Sequence, residues 1–278
     1  MYRLHYGGIV AAALAEDLGS GDLTTDSIFS DERGEAAIVT RESGVAAGLA
    51  LAREVFAQVD GEIHFQSMVE DGDEIAPGDC LAILRGPVGG ILKGERVALN
   101  FLQRMSGIAT ATRLAVKSIS GSGARIVDTR KTTPGLRILE KYAVRVGGGE
   151  NHRFNLSDMV LIKDNHIRGA GSISEAVRRV RGRLSFAVKI EVETSSLEDV
   201  REAVDCGVEL IMLDNMPATE MAEAVKIVNG KSIVEASGGI TFAMLPEVAA
   251  AGVDLISLGY LTYGSRALDL SLELAGDK

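Results

Sequence analysis

From residue 124 onward the chain repeats one pattern, and that pattern leaves few folds open. A short apolar run rich in β-branched residues ends in polar ones, and amphipathic stretches alternate with several of these runs. The runs are 124–129, 159–163, 186–192, 208–213, 232–236 and 253–258. Runs this short and this apolar suit strands buried on both faces, and alternation with helices implies parallel pairing. Helix signals fall between them. Ser195-Ser196-Leu197-Glu198 reads as a capping box opening a helix to Cys206, with Gly207 as its stop. Pro217 suits the first turn of the next helix, which ends near Asn229-Gly230. Six such runs predict a parallel β/α barrel with fewer than eight strands.

The first part of the chain reads differently. After a helical start come strand candidates at 36–41, 63–69 and 80–84. Asp60-Gly61, Asp71-Gly72, Pro77-Gly78-Asp79 and Gly86-Pro87 supply the turns between and after them. A helix is expected from Ile91 to Ile108, with Val97, Phe101, Leu102 and Met105 on one face. At 278 residues the chain has room for two domains or one large barrel. The expected division is a sheet domain over 1–110 and a barrel domain over 111–278, its last residues able to pack back on the first domain.

Charge narrows the function. A net charge of −10 argues against general nucleic-acid binding. The acidic excess lies within 1–100, which hold 17 acids and 7 bases, whereas 123–168 hold 9 bases and 5 acids. A locally basic segment in an acidic chain points to a small anionic ligand, with a solvated helix face as the equal alternative. Cys80 and Cys206 stand far apart with no CxxC pair. That excludes a disulfide framework or thiolate zinc site and fits a reducing, cytoplasmic setting. No apolar run approaches the ~18 residues of a membrane span. The apolar stretch 9–15 runs into Glu16-Asp17 and is not read as a signal peptide. Nothing in the sequence assigns a role to Cys80, Cys206 or His64.

The strand ends carry the chemistry, because the C-terminal ends of parallel strands share one face of a barrel. Arg130, Lys131, Arg153 and Lys163 sit at or near such ends and suit carboxylates and phosphates. Arg104 either joins them or caps its own helix. His152, beside Arg153, reads as a donor to ligand, against the alternative of a core histidine. Glu193 and Asp214 end consecutive runs and suit Mg²⁺ and a ribose hydroxyl. Structural ion pairs of these acids with Lys131 and Lys163 are an equal reading. Ser237-Gly238-Gly239, and Gly259 after the next run, offer backbone N–H groups to a phosphate. Gly147-Gly148-Gly149 is either a turn that lets 150–153 approach ligand or an ordinary helix stop. Together these residues describe a barrel enzyme for a phosphorylated, multiply anionic substrate with Mg²⁺.

Ordered motifs then add a resemblance. Asp128-Thr129-Arg130-Lys131-Thr132-Thr133-Pro134-Gly135-Leu136-Arg137, Gly147-Gly148-Gly149-Glu150-Asn151-His152-Arg153 and Leu161-Ile162-Lys163-Asp164-Asn165-His166 come in succession. Leu213-Asp214-Asn215, Glu235-Ala236-Ser237-Gly238-Gly239-Ile240 and Ser257-Leu258-Gly259 follow them. Upstream stand Glu16-Asp17-Leu18-Gly19-Ser20-Gly21-Asp22-Leu23-Thr24 and Glu95-Arg96-Val97-Ala98-Leu99-Asn100-Phe101-Leu102-Gln103-Arg104. The set spans nearly the whole chain and resembles the quinolinate phosphoribosyltransferases, also called nicotinate-nucleotide pyrophosphorylases (carboxylating). A molybdenum-cluster sister family shares the TRKT and GGG elements. Lys163-Asp164-Asn165-His166 and Asp214-Asn215 favour quinolinate over it.

The resemblance implies an N-terminal α/β sandwich and a C-terminal incomplete parallel β/α barrel, as in type II phosphoribosyltransferases, assembled at least as a dimer. It implies transfer from phosphoribosyl pyrophosphate to quinolinate, giving nicotinate mononucleotide, pyrophosphate and CO₂ with Mg²⁺ as cofactor. Arg104 (from the neighbouring subunit), Arg130, His152, Arg153 and Lys163 would hold quinolinate. Lys131, Lys163, Glu193 and Asp214 would face phosphoribosyl pyrophosphate, with Lys131, Glu193 and Asp214 as catalytic residues and the two acids as Mg²⁺ ligands. Ser237, Gly238, Gly239 and Gly259 would take the 5-phosphate. Other heterocyclic acids, a Schiff-base aldolase using Lys163 and a non-catalytic sugar-phosphate sensor are the competing readings.

Overall fold

The structure is a computed structural model and describes residues 6–275. Its elements begin with α1 (Gly7–Leu18), α2 (Leu23–Ile28), β1 (Arg33–Thr40), β2 (Gly44–Val45), α3 (Leu49–Val59), β3 (His64–Ser67), β4 (Glu74–Ile75), β5 (Cys80–Pro87) and α4 (Val88–Ser118). Next come β6 (Arg125–Val127), α5 (Arg137–Val146), β7 (Val160–Ile162), α6 (Asp164–Ala170), α7 (Ile173–Arg181), β8 (Ile190–Thr194), α8 (Leu197–Asp205), β9 (Leu210–Asp214) and α9 (Ala218–Val228). The last are β10 (Ile233–Ser237), α10 (Leu245–Ala250), β11 (Leu255–Ser257), α11 (Tyr260–Tyr263) and β12 (Leu270–Leu274).

These elements form two compact units. One holds the segment ending at Arg113, Thr132–Gly148 and the segment beginning at Tyr260; the other holds Leu114–Lys131 and Gly149–Gly259. The units therefore do not follow a single cut at 110. The last residues do pack back on the first domain as expected, since β12 pairs antiparallel with β1, from Ala36 opposite Leu274 to Thr40 opposite Leu270.

In the first unit an antiparallel sheet runs in the order β12-β1-β5-β3. Alternate residues of β1 (Ala36, Ile38 and Thr40) are buried, the period-two pattern of a strand with one covered face. The long helix α4 extends well beyond the expected 91–108. Ala98, Leu102, Met105 and Ile108 are buried along it at helical spacing. Two close approaches demand glycine. A Cβ on Gly107 would lie 2.0 Å from the carbonyl oxygen of Arg266, and one on Gly147 would lie 2.5 Å from that of Ala109. Gly147 also caps α5, so it is a helix stop and a packing necessity.

The second unit is one six-stranded parallel sheet in the order β6-β11-β10-β9-β8-β7. Among the described residues β6 and β7 are its edges, so the ring of strands is incomplete, as expected. The chain after α5 adds a parallel bridge, Val127 to Glu150, beside β6. Five of the six expected runs overlap these strands closely. In the sixth, 186–192, pairing starts only at Ile190, because Val188 N–H turns back to the carbonyl of Ser185 and leaves Phe186 fully exposed. The cap of α8 also lies one residue later than read. Ser196 accepts from Asp199 N–H, while Asp199 accepts from Ser195 N–H. No helix among the described residues is long and apolar enough to cross a membrane.

Gly107→Ala should destabilise the fold by about 1–3 kcal/mol through this overpacking. Denaturant unfolding of the purified chain measures it, and unchanged stability would mean that the backbone at Arg266 yields freely.

Candidate active site

Parallel register places the strand ends of the second unit side by side. Thr194 of β8 pairs with Leu213 of β9, and Ser237 of β10 pairs with Asp214. Lys163 follows β7 and opens α6; its N–H donates to Nδ1 of His166 at 2.9 Å. Its Nζ lies 2.5 Å from Oε2 of Glu193 on the neighbouring strand. The ion-pair reading of Glu193 is thus realised with Lys163, at a partly exposed place where the pair contributes about 1 kcal/mol or less to stability.

The loops after β9 and β10 are locked together. Asn215 adopts a left-handed conformation (φ +56°), donates its N–H to the carbonyl of Ser237 at 2.9 Å and its side-chain amide to Asp214 at 2.8 Å. A Cβ on Gly238, at φ +87°, would meet the Asn215 amide at 2.5 Å. Glycine is required here for conformation and for space. Past this loop, a short 3₁₀ turn at Phe242–Met244 leads into α10. Gly259 lies two residues past the end of β11.

Beneath the exposed cations lies a set of buried acids. Asp128, at the end of β6, accepts from Asn151 Nδ2 at 2.6 Å and from the N–H of His152 at 2.9 Å. Glu191 of β8 and Glu235 of β10 are fully buried. Nε2 of His152 lies 3.1 Å from a Glu191 oxygen and 3.3 Å from a Glu235 oxygen. Nδ1 of the same ring accepts the N–H of Arg153 at 2.7 Å. The ring proton therefore sits on Nε2, between the two carboxylates. Burial disfavours charge on His152, but the contacts with Glu191 and Glu235 outweigh it and push its pKa up, which secures the proton on Nε2, while the N–H of Arg153 opposes a second proton on Nδ1. Burial in turn raises that of Glu191. Both directions describe a cluster that keeps a proton between the imidazole and the acids. The three ligand atoms lie within 4.8 Å of one another, close enough for a metal. A proton on Nε2 leaves that nitrogen no lone pair to give a metal.

Arg153 is half-buried above this cluster. Burial lowers its pKa, and the charge of Arg130 lowers it further, so the two guanidinium groups feel one another. Two arginines held in mutual repulsion suit an anion between them. Lys131 is exposed in the same loop, its N–H held by Oγ1 of Thr129 at 3.0 Å. The second unit thus contains Arg130, Lys131, His152, Arg153, Lys163, Glu193, Asp214, Ser237, Gly238, Gly239 and Gly259.

Arg104 belongs to the first unit. Its Nε and Nη2 donate to Oε1 of the buried Glu140 at 3.1 and 2.8 Å, and its remaining donors reach the carbonyls of Ser265 and Thr262. Glu140 also accepts from the N–H and hydroxyl of Thr133 at 3.1 and 2.7 Å. It joins Arg104 to the Thr-Thr-Pro segment. Sequence reasoning gave Glu140, Glu191, Glu235 and Asp128 no role. The signal for Glu191 and Glu235 was present: a glutamate inside an apolar strand is rare unless it is partnered.

Known proteins resemble this chain over nearly its whole length. Residues 22–106 match the family described as quinolinate phosphoribosyl transferase, N-terminal domain, and 108–273 match its C-terminal domain. The chain is 47% identical to a probable nicotinate-nucleotide pyrophosphorylase [carboxylating] of Bacillus subtilis, over 93% of this chain and 90% of that protein. It is 42% identical to the chloroplastic nicotinate-nucleotide pyrophosphorylase [carboxylating] of Arabidopsis thaliana, over 96% and 82% of the two chains. The crystal structure of NadC from Streptococcus pyogenes superposes with a TM-score of 0.96 at 40% identity, covering 99% of this chain and 98% of that one. With both domains matched in order along the chain, it belongs to the quinolinate phosphoribosyl transferase family.

Proposed function

We propose that this enzyme joins quinolinate to the ribose of phosphoribosyl pyrophosphate and releases pyrophosphate and CO₂, leaving nicotinate mononucleotide. The observation that carries this reading is the meeting of cations and acids at the strand ends of the second unit. Arg153 and Arg130 repel one another there, and Lys163 is paired with Glu193. Quinolinate is a dianion, so Arg130, Arg153 and Lys163 would hold its carboxylates, with His152 beneath Arg153. Arg104 would reach the site of a neighbouring copy in a homodimer or higher homo-oligomer. Lys131 would stabilise the departing pyrophosphate. The Ser237–Gly239 loop and Gly259 would take the 5-phosphate through backbone N–H groups.

The pyridine nitrogen attacks the anomeric carbon as the C–O bond to pyrophosphate breaks. Positive charge then grows on the ribose ring, where a carboxylate such as Glu193 stabilises it. The pyridinium formed is an electron sink, so the C–C bond to the 2-carboxylate breaks and CO₂ leaves; a proton from solvent fills that carbon. No dedicated base is needed, and the protein supplies position and charge. Glu193 and Asp214 are hard oxygen donors on neighbouring strands and fit Mg²⁺, which takes one or two carboxylates beside phosphates and water. The ion supplies positive charge against the leaving pyrophosphate. The aldolase reading has less support, because the Lys163 amine is engaged in an ion pair with Glu193. A cytoplasmic setting completes the proposal.

The deciding experiment measures labelled CO₂ released from carboxyl-labelled quinolinate with phosphoribosyl pyrophosphate and Mg²⁺, with nicotinate in a parallel tube. Release with mononucleotide formation from quinolinate alone is expected; turnover of nicotinate instead would reject the substrate. Arg153→Ala should raise the quinolinate KM by about 10- to 100-fold, the worth of a charged hydrogen bond, and spare phosphoribosyl pyrophosphate binding. Equal loss of both ligands would remove Arg153 from the carboxylate site. Mixing Arg104→Ala and Lys163→Ala chains should restore part of the activity that each lacks alone. No recovery would rule out a shared site.

A further inference from the structure

Two carboxylates under the site have no task in the chemistry proposed above. Glu191 and Glu235 are fully buried, and their oxygens meet no donor in aligned hydrogen-bond geometry among the described residues. Buried acids are costly unless their charge is answered. The contact that answers theirs is Nε2 of His152, 3.1 Å from Glu191 and 3.3 Å from Glu235, so both carboxylates face one ring nitrogen.

His152 passes this grip on to the main chain. Its Nδ1 holds the N–H of Arg153 at 2.7 Å, and its own N–H is held by Asp128 at 2.9 Å. Asn151 is tied to the same aspartate at 2.6 Å, and Nη1 of Arg153 donates to the carbonyl of Met159 at 3.2 Å. Residues 151–153 are thus fastened from below by acids just past β6 and on β8 and β10. Glu191 also attracts the Arg153 guanidinium, against the repulsion of Arg130.

We infer that Glu191 and Glu235 are positioning residues: they grip the imidazole of His152, and His152 acts as a strut that fixes the backbone aiming Arg153 at the substrate carboxylate. The inference rests on the reading of Arg153 as a carboxylate-binding residue. It changes the part expected of His152 from a donor to ligand into a support, because both of its ring nitrogens are used inside the protein.

Glu191→Gln and Glu235→Gln keep the shape of each side chain and remove its charge, so both should fold. Each should raise the quinolinate KM by about tenfold, one strong hydrogen bond's worth, and leave phosphoribosyl pyrophosphate affinity within about twofold. A purely structural role would weaken both ligands together, and that result, or unchanged quinolinate affinity in both variants, overturns the inference. A second readout is independent of the substrate. Side-chain ¹⁵N spectra of the full chain, with His152 assigned by His152→Gln, should show Nε2 protonated and Nδ1 bare, and a mixture of tautomers in the double glutamine variant. A protonated Nδ1 in the wild type overturns the strut whatever the substrate. The expected spectrum in a wild type that does not turn over quinolinate supports the strut and rejects the substrate alone.

Discussion

A carboxylate taken out of water costs several kcal/mol unless a donor or a positive charge answers it within contact distance. The second unit accepts that cost at three positions, Asp128 just past β6 and Glu191 and Glu235 within strands, each fully buried. The answers all come from one short segment: the amide of Asn151, and the N–H and ring of His152. That segment has no regular structure of its own beyond a single bridge to β6. Its place is set by the acids beneath it, and the cationic surface above depends on its place. A segment carrying exposed cations is therefore built over buried negative charge.

The first unit uses the same device. Glu140 is buried and takes four donors, two from Arg104 and two from Thr133. One acid thereby sets both a helix side chain and a loop. In the second unit the loops after β9 and β10 are fixed differently, by close packing of Gly238 against Asn215. Buried charge fixes the cationic segment, and close packing fixes the glycine loop.

Much of this was legible in the sequence. The six apolar runs carried the parallel sheet because strands covered on both faces must be apolar, and helices between them force parallel pairing. The polar residues at their ends carried the site for the same reason. Phe186 misled, since it is apolar and adjacent to a strand yet lies exposed on a turn that Ser185 sets by hydrogen bonding. Ser195 misled by one position, because either of two adjacent serines can cap a helix and only backbone conformation chooses between them. That Glu191 and Glu235 need partners was legible from their place in apolar strands, but which residues partner them and Glu140 was not, because each has a partner 30 or more residues away. Local patterns do not encode such pairs.

The pairing of β1 with β12 has a consequence for the chain as it is made. Residues 33–40 leave the ribosome long before 270–274, and every strand of the second unit is synthesised between them. Closing so long a loop adds little to the equilibrium cost, since loop entropy grows only logarithmically with length. The delay falls on the nascent chain. Until its last partner arrives, β1 pairs with β5 on one side and offers unpaired backbone on the other, the kind of edge that recruits strands from other chains. The interval between these two segments is thus the one in which a half-made molecule is most open to aggregation.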